Sequence, residues 1–438
     1  MPSLSSKHCL DLSHAVSCQS NSSGLDGVLT PPKTPENGQN VEKGKASLTL
    51  GGAEFAADPS DELTEMISVD IGLRTEPKEA LQKILANGSD VEPMSIVPQL
   101  PQSYQGSYHL LEELGHGAWS VVYRGIEMLN STLSGTGIAP DTPPDTPEIS
   151  KQSSEANVLA VKVLARRDGK QILEQEACIL TYLHSRFRSA RHLVPFHGYD
   201  SSRCSIVMTC VPLTLEEHIT DVAKAPFTTM KMYSPIIGAE GWSVLAIRLI
   251  DCLKFLQENR CVHGDVKPAN ILLQDSTKTE NKTFQPLLCD FSSSQVLNED
   301  SSCISEEVTA VTTEFTAPEI LHALSPRRRQ DDERAVCTYS TDIFSLGVTL
   351  LFAATGESPY AQARIRFQRT AMAEQGVPLQ YAQTGDQALR VRQGKAVEQI
   401  LRDALQQDGK QRVPARAWQE RTKKIIGSWR DNAWVEGR

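Results

Sequence analysis

Residues 261–273, Cys261-Val262-His263-Gly264-Asp265-Val266-Lys267-Pro268-Ala269-Asn270-Ile271-Leu272-Leu273, decide how this chain is read. Two apolar anchors, Cys261-Val262 and Ile271-Leu272-Leu273, bracket an aspartate, a lysine and an asparagine. Short apolar runs of this kind read as buried strands, which puts the polar residues on the loop between them. An aspartate there can orient a hydroxyl and take its proton, a lysine can neutralise a phosphate, and an asparagine oxygen can ligate magnesium. A random polar loop does not combine these groups between two buried anchors. His263 reads instead as a structural histidine under the loop.

Working outward, Leu287-Leu288-Cys289-Asp290-Phe291-Ser292 puts a second carboxylate straight after an apolar strand. Asp290 supplies the hard oxygen that Mg²⁺ prefers; standing alone, it would read sooner as an ordinary strand-ending aspartate. Upstream, Val158-Leu159-Ala160-Val161-Lys162-Val163-Leu164 is a dense β run. A lysine in a buried strand is costly unless an anion meets it; the alternative is a solvent-facing edge position. Residues 171–184 have helical spacing, and Glu176 precedes Ile179 and Leu180 as a carboxylate partner should, with Glu174 as the fallback. Farther upstream, Leu114 to Val122 reads LGHGAWSVV. Gly115 and Gly117 allow backbone to approach a phosphate closely, and Val122 is placed to cover a base, although two glycines in a β-turn are also ordinary hairpin chemistry.

These motifs, occurring together and in order, resemble the eukaryotic protein kinase superfamily, serine/threonine type, over residues 104–428. The resemblance implies an α+β bilobal fold: a small β-rich lobe at about 104–211 with a polar insertion at 130–157, and a large helical lobe at about 212–428. It implies ATP and Mg²⁺ as cofactors and proteins as substrates. It assigns catalytic work to Asp265, Lys267, Lys162 and Glu176, and metal ligation to Asn270 and Asp290. Around the nucleotide it places Gly115, His116, Gly117, Ala118, Trp119, Ser120 and Val122 of the cradle, Ala160 and Lys162 of the β run, Met208 as gatekeeper, and Thr209 to Val211 as hinge. It also pairs Glu319 of Ala317-Pro318-Glu319 with Arg412, and has Asp342 cap the catalytic-loop backbone. Lys267-Pro268 and Thr312 look like the serine/threonine branch.

Three positions depart from the family pattern. Ser120 stands for the third cradle glycine, Ser292 for the glycine after Asp290-Phe291, and Gly264 for the arginine before Asp265. That arginine normally meets an activation-loop phosphate, so its absence implies activity independent of one, although Ser301, Ser302, Ser305 and Thr309 lie in that loop. The same departures motivate an alternative: a pseudokinase or scaffold that binds nucleotide or partners without efficient transfer. His-Gly-Asp also occurs in small-molecule kinases of the aminoglycoside and choline type, but those usually lack Lys-Pro after the aspartate and the Ala-Pro-Glu segment.

The 438 residues exceed one average domain and are 39% hydrophobic, enough for a substantial core beside polar segments. A net charge of −10 argues against a general nucleic-acid binder. Ten cysteines without a C-x-x-C pair read as reduced thiols, with Cys289 a core thiol beside the pocket; an intracellular location, cytoplasmic and/or nuclear, is expected. The longest apolar run, Phe344 to Ala354, falls short of the ~20 residues of a membrane span and reads as a buried helix. Residues 1–103 read as a mostly disordered extension, with a short helix from Glu76 to Asn87, and residues 429–438 as a tail. Thr30, Thr34, Thr142 and Thr146 each precede proline, the pattern of a proline-directed kinase's acceptors or of linker composition. Arg327 to Arg329 read as a solvated insertion, with an acidic docking partner as the alternative.

Overall fold

Strand β3, Val158–Leu164, is the middle of a five-stranded antiparallel sheet. Its neighbours are β1 (Ser107–His116), β2 (Ser120–Met128), β4 (Phe196–Asp200) and β5 (Ser205–Thr209), in the order β1-β2-β3-β5-β4. The molecule is known here from a computed structural model that describes residues 97–128, 157–224, 232–275, 284–297, 311–325 and 335–433. The helix expected at Glu76 to Asn87, the four Thr-Pro sites, nearly all of the 130–157 insertion, the hydroxyls Ser301 to Thr309 and the arginine run at 327–329 lie outside those residues.

The two-residue period of a strand explains the chemistry of β3. Leu159 and Val161 join Tyr108 and Val207 in a small cluster on one face. Lys162 falls on the other, toward the interior, and is only 5% exposed. Helix α1, Lys170–His184, covers that side with Leu173, Ala177, Leu180 and Leu183, the i, i+4, i+7 stripe of an amphipathic helix. Glu176 sits within this buried stripe and not on the solvent face.

After β5 the chain becomes helical. Helix α2 (Leu215–Ala223) opens with a reciprocal capping box between Thr214 and Glu217. Helix α3 (Ala239–Glu258) runs through the centre of the second lobe, and its Trp242 ring is fully buried with the indole N–H donating to Leu350 O at 2.9 Å. Short strands follow: β6 (Cys261–Val262) with β9 (Gln295–Val296), and β7 (Ile271–Asp275) with β8 (Phe284–Leu288). Helix α4 (Pro318–Leu324) precedes α5 (Tyr339–Thr355), the apolar run expected to be buried. Gly347 of α5 lets Leu405 pack closely: a Cβ there would lie 2.7 Å from Leu405 Cδ2, and the leucine would have to shift. Helices α6 (Arg366–Glu374), α7 (Pro378–Thr384), α8 (Ala396–Leu401) and α9 (Ala415–Ala433) complete the lobe, with Trp418 donating to Ile400 O at 2.9 Å.

The fold is therefore α+β and bilobal, a β-rich lobe followed by a helical one. No helix among the described residues is long and apolar enough to cross a membrane. Their cysteines are free thiols.

Candidate active site

A buried charge cluster joins the two lobes. Lys162 Nζ donates to Glu176 Oε1 and Oε2 at 2.8 and 2.7 Å, and to Asp290 Oδ1 at 2.7 Å. Glu176 Oε1 also accepts the Phe291 N–H at 3.1 Å, tying helix α1 to the segment that carries Asp290. Glu174, the fallback, lies elsewhere, near the Tyr199 hydroxyl and Lys170. Burial alone would favour neutral Lys162, but the Asp290 and Glu176 carboxylates outweigh it and raise its pKa. Burial likewise opposes charge on Asp290, and Lys162 together with the Ser292 hydroxyl overrides it, holding the carboxyl below the usual range.

The second cluster is the loop between β6 and β7. Lys267 Nζ donates to Asp265 Oδ2 at 2.7 Å and to Thr312 Oγ1 at 3.0 Å. Asn270 Nδ2 donates to Asp265 O at 2.9 Å and to Asp265 Oδ2 at 3.0 Å. These contacts turn the Asn270 amide oxygen away from Asp265. His263 is buried beneath the loop: Nε2–H donates to Cys289 O at 3.2 Å, and Nδ1 accepts the Asp265 N–H at 3.3 Å. Burial depresses its pKa, so the imidazole is neutral with its proton on Nε2. From α5, Asp342 accepts the N–H groups of His263 at 2.7 Å and Gly264 at 3.0 Å. Burial pushes Asp342 up to about 7 despite those two donors.

Gly264 has a local reason in this chain. Its φ is +80°, and a Cβ would overlap the carbonyl oxygen of Ser293. A side chain at this position would meet both a left-handed backbone and a blocked path.

The cradle is a tight β1–β2 turn closed by Gly117 N–H donating to Ser120 O at 2.8 Å. Ser120 is buried and pairs with Leu164 of β3, so its hydroxymethyl is accommodated within the sheet end. Trp119 is half-buried and stacked under the Arg166 guanidinium, 5.2 Å from the ring centroid. A cavity of about 50 Å³ opens among Gly117, Ala118, Trp119, Ser120, Lys162, Glu176, Asp290 and Ser292. Gly115 and His116 lie on the β1 side of the turn, outside that lining, with His116 facing Glu113 at 3.7 Å. Val122 pairs with Lys162 across the sheet and Ala160 with Met208. Thr209 ends β5, with its N–H on Pro195 O; Cys210 N–H reaches Val158 O, and Val211 is buried beyond them.

Asp290 Oδ2 and Asn270 Oδ1 take no hydrogen bond among the described residues. One carboxylate and one amide oxygen, completed by phosphate oxygens and water, is the donor set that suits Mg²⁺, so these residues fit the ion.

Three hydroxyl contacts were not foreseen from the sequence. Ser292 Oγ donates to Asp290 Oδ1 at 2.8 Å, Ser294 Oγ donates to His263 O at 2.9 Å, and Thr312 accepts from Lys267 as above. A hydroxyl two residues after Asp290 was the available signal, since Ser side chains favour such local bonds. Away from the cleft, Arg412 Nη1 and Nη2 donate to Glu319 Oε1 and Oε2 at 2.6 and 2.7 Å.

A protein kinase domain model matches residues 148–422. The match begins beyond the β1–β2 hairpin, which nevertheless pairs directly with β3. Among curated relatives, serine/threonine-protein kinase ISR1 of Saccharomyces cerevisiae is 26% identical over 242 residues, 53% of this chain and 52% of that protein. The inhibitor of nuclear factor kappa-B kinase epsilon subunit homolog 1 of Caenorhabditis elegans is 26% identical over 268 residues, 58% of this chain and 28% of that protein. Serine/threonine-protein kinase PknK of Mycobacterium tuberculosis is 25% identical over 278 residues, 62% of this chain and 20% of that protein. The chain thus spans about half the length of its yeast relative, and less of the other two.

Proposed function

Because the chain belongs to the protein kinase family, we propose that it transfers the γ-phosphate of Mg-ATP to serine and threonine hydroxyls of protein substrates. One observation carries this reading: Lys162 meets both Glu176 and Asp290 while Asp265, Lys267 and Asn270 stand bonded to one another. A nucleotide-binding module without transfer would have use for Asn270 as a magnesium ligand but none for Asp265 as a proton acceptor.

Lys162, fixed by Glu176, steadies the α- and β-phosphates. Asn270 and Asp290 would hold magnesium, which would supply positive charge against that on the phosphate oxygens. Asp265 orients the acceptor hydroxyl and takes its proton as the new P–O bond forms and the bond to the ADP oxygen breaks. Lys267 neutralises charge on the transferred group, and its bond to Thr312 ties the loop to the segment that precedes α4.

Ser120, Gly264 and Ser292 favour the second reading, a scaffold that binds nucleotide without turnover. None of the three removes a group named above. The discriminating experiment is transfer of labelled phosphate from Mg-ATP to the protein and to a mixed Ser/Thr substrate, with Asp265→Asn beside it. Incorporation lost in the variant supports the kinase. Intact ATP binding with no incorporation in the parent overturns it in favour of the scaffold.

A further inference from the structure

The segment after Asp290 is fastened to its surroundings by several bonds of its own side chains and backbone. Asp290 has a left-handed backbone, φ +61°, which a non-glycine residue holds only when its surroundings fix it. Its side chain is 38% exposed, so packing alone does not set the rotation of the carboxylate. Oδ1 takes two donors, Lys162 Nζ at 2.7 Å and Ser292 Oγ at 2.8 Å. Oδ2 is left facing away from both. The following turn is closed by Ser294 N–H on Phe291 O at 3.0 Å, and its hydroxyl reaches His263 O. Ser293 O lies against Gly264, where a Cβ would collide. Phe291 fills the space beneath, fully buried, with its ring 4.7 Å from the His263 ring.

We propose that Ser292 is a positioning residue: its hydroxyl fixes the Asp290 carboxylate with Oδ2 presented to the divalent cation that accompanies the nucleotide. A glycine at this position offers no such donor, and Lys162 alone leaves the carboxylate free to rotate about its remaining bond. The inference rests on the reading of Asp290 as a metal ligand, but not on phosphate transfer. The serine therefore trades backbone freedom for a carboxylate already oriented before the ion arrives. Ser293, the neighbour of Ser292, lies against Gly264, so the two departures from the family pattern sit close together.

The test uses the full chain with Ser292→Ala, Ser292→Gly and Ser292→Thr. The primary readout is binding of a fluorescent ATP analogue titrated with Mg²⁺, which needs no turnover; thermal melts verify folding. A hydrogen bond to a charged group corresponds to roughly a tenfold effect or more. The Mg²⁺ concentration at half-saturation should rise about tenfold in the alanine and glycine variants, while metal-free analogue affinity stays within about twofold. Threonine, which keeps the hydroxyl, should restore the parent value to within about threefold. Alanine and glycine variants within twofold of the parent would overturn the proposal, as would a parent whose analogue binding ignores Mg²⁺. If the parent binds Mg²⁺-dependently yet transfers no phosphate, the function proposed above fails while this assignment is still decided by the titration.

Discussion

Replacing Arg412 by Met should cost the helical lobe more than any surface charge would. The Arg412 side chain is 0% exposed. Besides Glu319, it donates to three carbonyls: Ser340 O at 3.0 Å, Gln406 O at 2.8 Å and Gln407 O at 3.0 Å. Its guanidinium also lies 4.8 Å from the centroid of the Phe344 ring. Methionine fills similar volume and keeps the apolar contact, so the loss isolates the polar bonds. Three acceptors left without their donor cost about 3 kcal/mol together, at the low end for buried groups. Glu319 adds only about 1 kcal/mol, because its side chain is 40% exposed and water can resolvate it. The sum, about 4 kcal/mol, corresponds to a thermal midpoint lowered by about 8 °C in a domain of this size. Lysine keeps the charge but reaches only one or two of the acceptor atoms around the guanidinium, so Arg412→Lys should lose about 4 °C. Differential scanning calorimetry reads both. A methionine variant melting within 2 °C of the parent would refute the reasoning, since the carbonyls must then have other donors.

Two further outcomes follow from buried groups. Asp342→Ala leaves two buried N–H donors at His263 and Gly264 without an acceptor, at about 1–3 kcal/mol each; urea denaturation should show a loss of at least 2 kcal/mol, and one below 0.5 kcal/mol would mean that solvent reaches those donors. Burial depresses the pKa values of His184, His192, His218 and His263, so their stabilising contribution is present above the unfolded value of about 6.5 and lost as the pH falls below it. Asp342, raised to about 7, slopes the opposite way, as do Glu176 and Glu357, which burial also raises. The histidine part is isolated by difference: His218→Gln should lose less melting temperature than the parent between pH 7.5 and pH 5.5, and identical pH profiles would count against a neutral imidazole there.

The parts of the fold and site that could be read from the sequence are those in which type and spacing are themselves the constraint. Lys162 inside an apolar strand required an anion, and the helical stripe through Ile179 and Leu180 put Glu176 in reach. Asp265, Lys267 and Asn270 were legible because two strands bracket them closely, leaving little freedom for the loop between. Contacts between segments distant in sequence were not legible. That Ser293 O approaches Gly264, or that Ser294 binds His263 O, depends on backbone torsions and on how β6 and β9 meet. A run of three serines looks like a surface turn, and only the geometry of Asp290 gives the first of them a partner. The three carbonyls around Arg412 were equally hidden: the Glu319 pair could be expected from the motif, whereas main-chain acceptors carry no side-chain signature.

The strands β2 and β3 meet in a manner that bears on protein engineering. Ile126 pairs with Val158, and Glu127 N–H donates to Asn157 O at 3.0 Å, so the chain leaves and re-enters the sheet at adjoining positions. The entropic cost of closing a segment between two such points grows only logarithmically, about 0.6 kcal/mol for each doubling of length. Residues 129–156 can then be shortened or extended with little thermodynamic consequence for the sheet, and Met128 and Asn157 make natural splice points. A fluorescent reporter or affinity handle grafted there would attach to the same lobe as Lys162, so this junction suits a conformational sensor better than either terminus.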